Sequence, residues 1–246
     1  SVLEESGYCP QVDCLDPFLT ARQHLRLFAK LAGIDNESAE EHIQYFMENL
    51  GLTSYDAQIT NTFSGGTKRR LSAAIAFIGD PSVIFLDEAS TGLDPMSRFG
   101  LSNCIQYLLR NDKGVIFTSH AMEEVDDMCR SLIIMKKGEI ICSGSPSELK
   151  NNYGSKYLLV CIMPDGCNEM DALKMAISSK IPDANLKEER HNGMNFNLPL
   201  TTTPLYEVFE QMEILKENQG NILKSYSISQ QTLDDVFIHL VRDDDM

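Results

Sequence analysis

Two acidic residues at the end of an apolar run, Val83-Ile84-Phe85-Leu86 followed by Asp87-Glu88, have the types and placement for metal-assisted hydrolysis. Adjacent side chains on a strand point to opposite faces, so neighbouring carboxylates can do different work. One can hold Mg²⁺, directly or through water, and the other can orient and polarise an attacking water. A strand that ends in an acidic turn is the plainer reading of the same residues. His120 closes a second run, Val115-Ile116-Phe117-Thr118-Ser119. If both runs are strands of one sheet, its imidazole emerges at the same edge as the carboxylates. There it can meet a terminal phosphate and the attacking water. The other histidines, 24, 42, 191 and 239, read as surface residues of helices or turns.

Ser64-Gly65-Gly66 precedes a helix-like segment, Leu71-Ser72-Ala73-Ala74-Ile75. Unpaired backbone N–H groups and the positive end of the helix dipole make such a start a phosphate grip. Paired glycines are poor helix formers, so something needs close approach to the backbone there. Lys68, Arg69 and Arg70 read as a solvated basic turn of that helix. The stronger phosphate device, a G-x-x-x-x-G-K-[ST] loop, does not occur in the 246 residues. Gln11, in Tyr8-Cys9-Pro10-Gln11, carries no weight by itself.

These residues need a scaffold. Thr20–Ala32 has apolar residues at helical spacing and stops at Gly33; Glu37–Leu50 forms another helix, stopped by Gly51. A third runs from the Phe63–Arg70 motif to Phe77 or Ile78, with Leu71, Ala74, Ile75 and Ile78 on one stripe. The runs at 83 and 115 are continuous and apolar, which predicts parallel strands covered on both faces. Ser97–Arg110 and Ala121–Arg130 are the crossover helices between and after them. Leu132–Met135 and Ile140–Ser143 read as a hairpin closing the sheet, and Pro146–Lys150 opens a short helix. From Tyr157 the order is strand (to Met163), helix (Glu169–Ser179), strands Asn185–His191 and Met194–Leu200, helix (Tyr206–Lys216), and strand Asn221–Ile228. This β-α-β-β-α-β order makes a small α+β sandwich. A last amphipathic helix bears Leu233, Val236, Phe237 and Leu240 before an acidic end.

The chain is long enough for one large domain or two smaller ones. Its net charge is −15, with acid outweighing base in both halves and no basic face, which excludes nucleic acid as a partner. Seven scattered cysteines without a C-x-x-C pair predict free thiols rather than a disulfide framework or a zinc site. The apolar runs fall short of the ~20 residues that span a bilayer. The chain opens on Ser1-Val2-Leu3 without Met and close to motif-like sequence, so a segment cut from a longer protein is expected.

Taken together, Tyr8-Cys9-Pro10-Gln11, Ser64-Gly65-Gly66, Val83–Glu88, Ser90-Thr91-Gly92-Leu93-Asp94 and Thr118-Ser119-His120 occur in the order of the Q-loop, signature, Walker B, D-loop and switch histidine. The succession resembles the nucleotide-binding domain of ATP-binding cassette (ABC) transporters. YCPQ, SGG followed by KRRLS, TSHAMEE and the trailing α+β unit are similar to subfamily A, the large lipid-type eukaryotic transporters. The resemblance implies an α/β P-loop NTPase-like ABC ATPase core, partial here, over residues 1–153, with a helical subdomain at about 17–80. A ferredoxin-like α+β regulatory domain with a C-terminal helix would occupy 154–246.

The same resemblance implies ATP and Mg²⁺ as cofactors. Asp87 and Gln11 would serve the metal, and Glu88 would be the catalytic carboxylate. His120 would contact the γ-phosphate, and Gln11 would link the site to transmembrane domains. Asp94 would lie across a dimer interface, and Ser64, Gly65 and Gly66 would grip nucleotide held by a second nucleotide-binding domain. The whole would work at the cytosolic face of a membrane. Phe63, Thr67 and Ala89 depart from the family's usual Leu or Tyr, Gln or Asn, and Pro. The Walker A loop and an adenine-stacking aromatic would lie upstream of Ser1, so residues 1–246 alone would not hold ATP properly. A soluble ABC ATPase, or a non-hydrolysing interaction fragment, fits the same motifs.

Overall fold

The computed structural model describes residues 5–154, 156–167, 169–199 and 204–242, without the side chains of His239 and Arg242. The expected strand end at Leu200, the surface placement of His239 and the acidic end of the chain lie outside these residues. The chain divides into two compact units, Ser1–Ala121 and Met122–Met246.

In the first unit three parallel strands, β1 (Ser6–Cys9), β2 (Val83–Asp87) and β3 (Gly114–Thr118), lie in the order β1-β2-β3. Four helices accompany them: α1 (Ala21–Leu31), α2 (Asn36–Asn49), α3 (Gly65–Ile78) and α4 (Pro95–Arg110). Strand β1 was not expected, because Ser-Gly-Tyr-Cys has neither an apolar run nor alternation. Helix α1 starts at a capping box: Thr20 accepts from Gln23 N–H while the Gln23 side chain accepts from Thr20 N–H. Such a cap contributes about 1 kcal/mol. Helices α1 and α2 end in the same way. Gly33 and Gly51 take the left-handed conformation that a Cβ disfavours, with φ of 79° and 62°.

Helix α3 is the centre of the unit. From Leu71 to Ile78 every side chain except Ile75 is buried, a wider contact than one stripe. Strand β2 turns Ile84 and Leu86 inward, and each fully buried aliphatic contributes roughly 1.5–3 kcal/mol. The opposite face of the sheet is not covered as expected. Tyr8, Phe85 and Ile116 stand side by side in the strand register and are 58%, 40% and 57% exposed.

His24, expected at the surface, is buried. Its Nδ1 lies 2.9 Å from Thr20 O and its Nε2 accepts from Asp16 N–H at 2.9 Å. The neutral tautomer with the proton on Nδ1 satisfies both contacts. Thr60 Oγ1 donates to Asp16 O, and the segment leading into α1 is thereby pinned to the short turn at Thr60–Thr62.

In the second unit, α5 (Met122–Met128), β4 (Leu132–Lys136), β5 (Glu139–Gly144) and α6 (Pro146–Tyr153) come first. Strands β4 and β5 form a two-stranded sheet of their own, and do not close the three-stranded one. Then follow β6 (Lys156–Ile162), α7 (Met170–Lys180), β7 (Asn185–Arg190), β8 (Gly193–Pro199), α8 (Leu205–Asn218), β9 (Ser225–Gln230) and α9 (Leu233–Arg242). The antiparallel sheet has the order β7-β8-β6-β9, the ferredoxin-like arrangement. Leu159, Cys161, Met194 and Phe196 pack with Leu173, Ile177, Val208 and Met212 of the two crossover helices. Strand β9 begins later than expected, because Ile222 and Leu223 are buried core residues of the preceding turn.

All seven cysteines are free. Burial pushes the Cys9 thiol up to about 11 and the Cys104 and Cys161 thiols up to about 12, whereas Cys14 is exposed. Thiolate is the reacting species. At about neutral pH, maleimide is therefore expected to modify Cys14 and to spare Cys9, Cys104 and Cys161 until the protein is denatured. Peptide mass mapping checks this; modification of Cys9 at the rate of Cys14 in the folded protein would contradict the packing of β1.

Candidate functional site

The parallel register sets Asp87 opposite Thr118, at the carboxyl ends of β2 and β3. Open α/β sheets bind ligands at such ends. The Thr118 hydroxyl donates to Asp87 Oδ1 at 2.6 Å and accepts the Glu88 N–H at 3.0 Å. One hydroxyl thus fixes the direction of the first carboxylate and the backbone of the second. Glu88 has φ of 50°, a left-handed conformation that costs a non-glycine residue roughly 1–3 kcal/mol. The turn after it is held by Thr91 N–H donating to Glu88 O at 3.0 Å and Leu93 N–H to Ser90 O at 3.1 Å. The Thr91 hydroxyl lies 3.4 Å from Glu88 Oε2.

His120 Nδ1 is 3.8 Å from Glu88 Oε2, and the imidazole is 70% exposed. That separation is too long for a direct hydrogen bond and leaves room for a bridging oxygen. Gln11 is exposed just beyond β1, the strand that pairs with β2. Asp94 caps α4: it accepts from Ser97 N–H at 3.0 Å and from the Ser97 hydroxyl at 2.6 Å. These bonds hold its carboxyl below the usual range, and its side chain is committed to its own helix.

Ser64 is likewise a cap. Its Oγ accepts from Thr67 N–H at 3.2 Å and lies 2.9 Å from Thr67 Oγ1. A Cβ at Gly65 would meet nothing within 4 Å, and one at Gly66 would touch Gly92 O at an ordinary 3.5 Å. Packing among the described residues therefore requires neither glycine.

The basic turn differs from its expected solvated form. Arg69 is 5% exposed. Its guanidinium donates to Pro10 O, to Gln11 O at 3.1 Å, and to Asp87 O, with Asp13 Oδ1 at 3.5 Å. Arg70 donates to Leu50 O at 2.7 Å and Gly51 O at 3.0 Å. Arg69 and Thr118 are the site-forming residues that sequence reasoning passed over. For Thr118 a signal existed, since aligning the apolar runs at 83 and 114 sets it beside Asp87.

Asp87 and Glu88 supply hard oxygen donors. No group of three or more His, Cys, Asp or Glu side chains that could hold a metal occurs among the described residues. A single carboxylate with substrate phosphates and water is the usual environment of Mg²⁺, so the donor set fits that ion. No helix among the described residues is long and apolar enough to cross a membrane.

Residues 1–91 match the ABC transporter family model, and residues 154–230 match the ABCA1-like C-terminal R1 regulatory domain. The chain is 39% identical over 241 residues to human ATP-binding cassette sub-family A member 2, covering 98% of this chain and 10% of that protein. It is 34% identical over 249 residues to human retinal-specific phospholipid-transporting ATPase ABCA4, covering 98% and 11%. It is 37% identical over 238 residues to rat sub-family A member 7, covering 96% and 11%. The chain thus spans about a tenth of the length of these relatives. A solved ATP binding subunit of an ABC transporter shares the fold, with a TM-score of 0.58 at 23% identity over 61% of this chain and 63% of that one. With both domain matches in order and relatives aligned along almost all of it, the chain carries part of an ABC transporter domain followed by an ABCA1-like R1 regulatory domain, and is similar over that stretch to subfamily A of the ATP-binding cassette transporters.

Proposed function

We propose that the chain contributes to ATP hydrolysis driving the transport of a lipid-like substrate, as part of a full-length ABC transporter. Residues 1–153 are part of one nucleotide-binding domain and 154–246 the regulatory domain. The observation that carries the reading is the Thr118 hydroxyl bridging Asp87 and Glu88, with His120 close by at the same strand edge. Asp87 would hold Mg²⁺, which when bound would neutralise charge on the transferred phosphate. Glu88 orients and polarises the attacking water, and His120 donates toward the terminal phosphate. Gln11 completes the metal side. Catalysis is by positioning and electrostatics, with little covalent work for the protein.

Ser64, Gly65 and Gly66 engage nucleotide held by a second nucleotide-binding domain, and the turn carrying Asp94 faces that same partner. The free space above Gly65 supports this, because a Cβ there would meet nothing within 4 Å among the described residues. The uncovered row Tyr8, Phe85 and Ile116 supports a further piece of the α/β core packing on the sheet. Val12, Phe18 and Leu31, 74%, 81% and 72% exposed around the Gln11 loop and α1, suit contact with transmembrane domains at the cytosolic face. The lipid class follows the ABCA4 relative, a phospholipid-transporting ATPase.

Gly65→Ala in the full-length transporter tests the grip in trans. Thermal stability is expected to stay within measurement error, since the methyl group enters open space, while steady-state phosphate release falls by about tenfold or more. Undiminished phosphate release would remove the grip from the mechanism. A large loss of stability would instead show that the glycine serves the fold.

A further inference from the structure

We propose that Arg69 is a positioning residue that holds the Gln11 loop and the Asp87 end of β2 at a fixed spacing; this rests on the hydrolytic reading above. The guanidinium reaches both segments at once. One terminal nitrogen takes Pro10 O, Gln11 O and, at 3.5 Å, Asp13 Oδ1; the other takes Asp87 O. Both grips fall on main chain, so they set where the backbone runs and not merely where a side chain points.

The group is an unusual choice for simple filling. A buried charge is expensive unless it is paired and its donors are used. Asp13, the carboxylate paired with it among the described residues, is the longest of the four contacts and is also engaged by the Ser72 hydroxyl at 2.8 Å. The three carbonyls, not the ion pair, are therefore its principal partners. A planar fork fixes the directions in which carbonyls from two chain segments are held; an ammonium donates from a single point on a flexible stem and fixes neither.

The geometry has a mechanical consequence. Arg69 sits in the second turn of α3, and the first turn of that helix carries Gly65 and Gly66. Gln11, Asp87 and the glycines are thus joined through one side chain. Movement of α3 toward a partner's nucleotide carries the metal-side loop and the Asp87 carboxylate with it.

The test compares Arg69→Lys and Asp13→Asn with wild type in the full-length transporter. Phosphate release gives kcat and KM, a fluorescent non-hydrolysable ATP analogue gives Kd, and a Mg²⁺ titration gives the half-saturating concentration. Arg69→Lys keeps the charge and loses the fork. The expected result is Kd for the analogue within about threefold of wild type, kcat lower by about 10²-fold, and several-fold more Mg²⁺ needed, as a misplacement of about 1 Å would produce. Asp13→Asn leaves the carbonyl contacts and is expected to keep kcat within about threefold.

Wild-type kcat and Mg²⁺ requirement in Arg69→Lys would show that charge alone suffices and would overturn the proposal. So would a loss in Asp13→Asn as large as in Arg69→Lys, which would assign the effect to the ion pair. Should Arg69→Lys not accumulate as folded protein, Asp13→Asn still decides: near-wild-type kcat supports the carbonyl clamp, and a 10²-fold loss overturns it. Phosphate release that is insensitive to Glu88→Gln would sink the hydrolytic reading itself, a result separate from either outcome at Arg69.

Discussion

Glu88→Gln in the full-length transporter is expected to lower steady-state phosphate release by about 10²–10⁴-fold while ATP-driven closure of the paired domains persists. The magnitude is that of a positioned general base. The amide has the shape of the carboxylate and can still accept from the Thr91 hydroxyl. The Glu88 N–H keeps Thr118, and the left-handed backbone at φ 50° is untouched, because neither depends on the side-chain charge. What disappears is the charged oxygen proposed to orient the attacking water. Asp87, held separately by Thr118, would keep its proposed role toward Mg²⁺. Phosphate release, together with trapping of labelled ATP in the closed state, separates the two effects. Turnover near the wild-type rate would remove Glu88 from the chemical step and leave His120 or an ordered water network to explain it.

The strained conformation at Glu88 bears on how much of the site the sequence could reveal. Its position after an apolar run was legible, because a parallel strand buried through Ile84 and Leu86 must be apolar and must end where the chain reaches solvent. The elements of the ferredoxin-like unit were legible for a similar reason. Apolar runs or alternation mark β6 and β8, helical spacing marks α7 and α8, and turn residues separate them; only β9 slipped, where Ile222 and Leu223 are apolar in a turn. Strand β1 was not legible. Its four residues become a strand through pairing with β2, a tertiary fact with no local pattern.

Arg69 was hidden behind its neighbours, since three consecutive cations look alike in a sequence. The helical period does separate them. Arg69 lies four residues before Ala73 and seven before Ala76, on the small-residue side of α3, whereas Lys68 is half-exposed. His24 was missed because its two partners are main-chain groups, which no sequence displays. The empty row of Tyr8, Phe85 and Ile116 was unforeseeable from the runs themselves, which predict apolar faces and not what covers them.

The small-residue side of α3 leads to the second large effect: Gly7→Ala is expected to loosen β1 by about 3 kcal/mol. A Cβ at Gly7 would lie well inside van der Waals contact with the Ala76 carbonyl oxygen, and 3.0 Å from both the carbonyl carbon and Pro81 Cγ. The obstacle is main chain of a helix buried on nearly every side, which cannot rotate away as a side-chain end could. Strand β1 must therefore move, against its pairing with β2 from Ser6↔Val83 to Cys9↔Leu86. That figure corresponds to about 10²-fold faster amide exchange across Ser6–Cys9, measurable in the full-length protein. Pro10 and Gln11 follow β1 directly, so a strand displaced by about an ångström also pulls their carbonyls from Arg69. Phosphate release should fall along with protection, by up to about 10²-fold. Exchange rates unchanged from wild type would mean that β1 and α3 can separate at no cost. The same methyl group at Gly65, in open space, serves as the control: it should leave exchange unaltered everywhere, and any loss of turnover it causes would arise where a partner's nucleotide approaches.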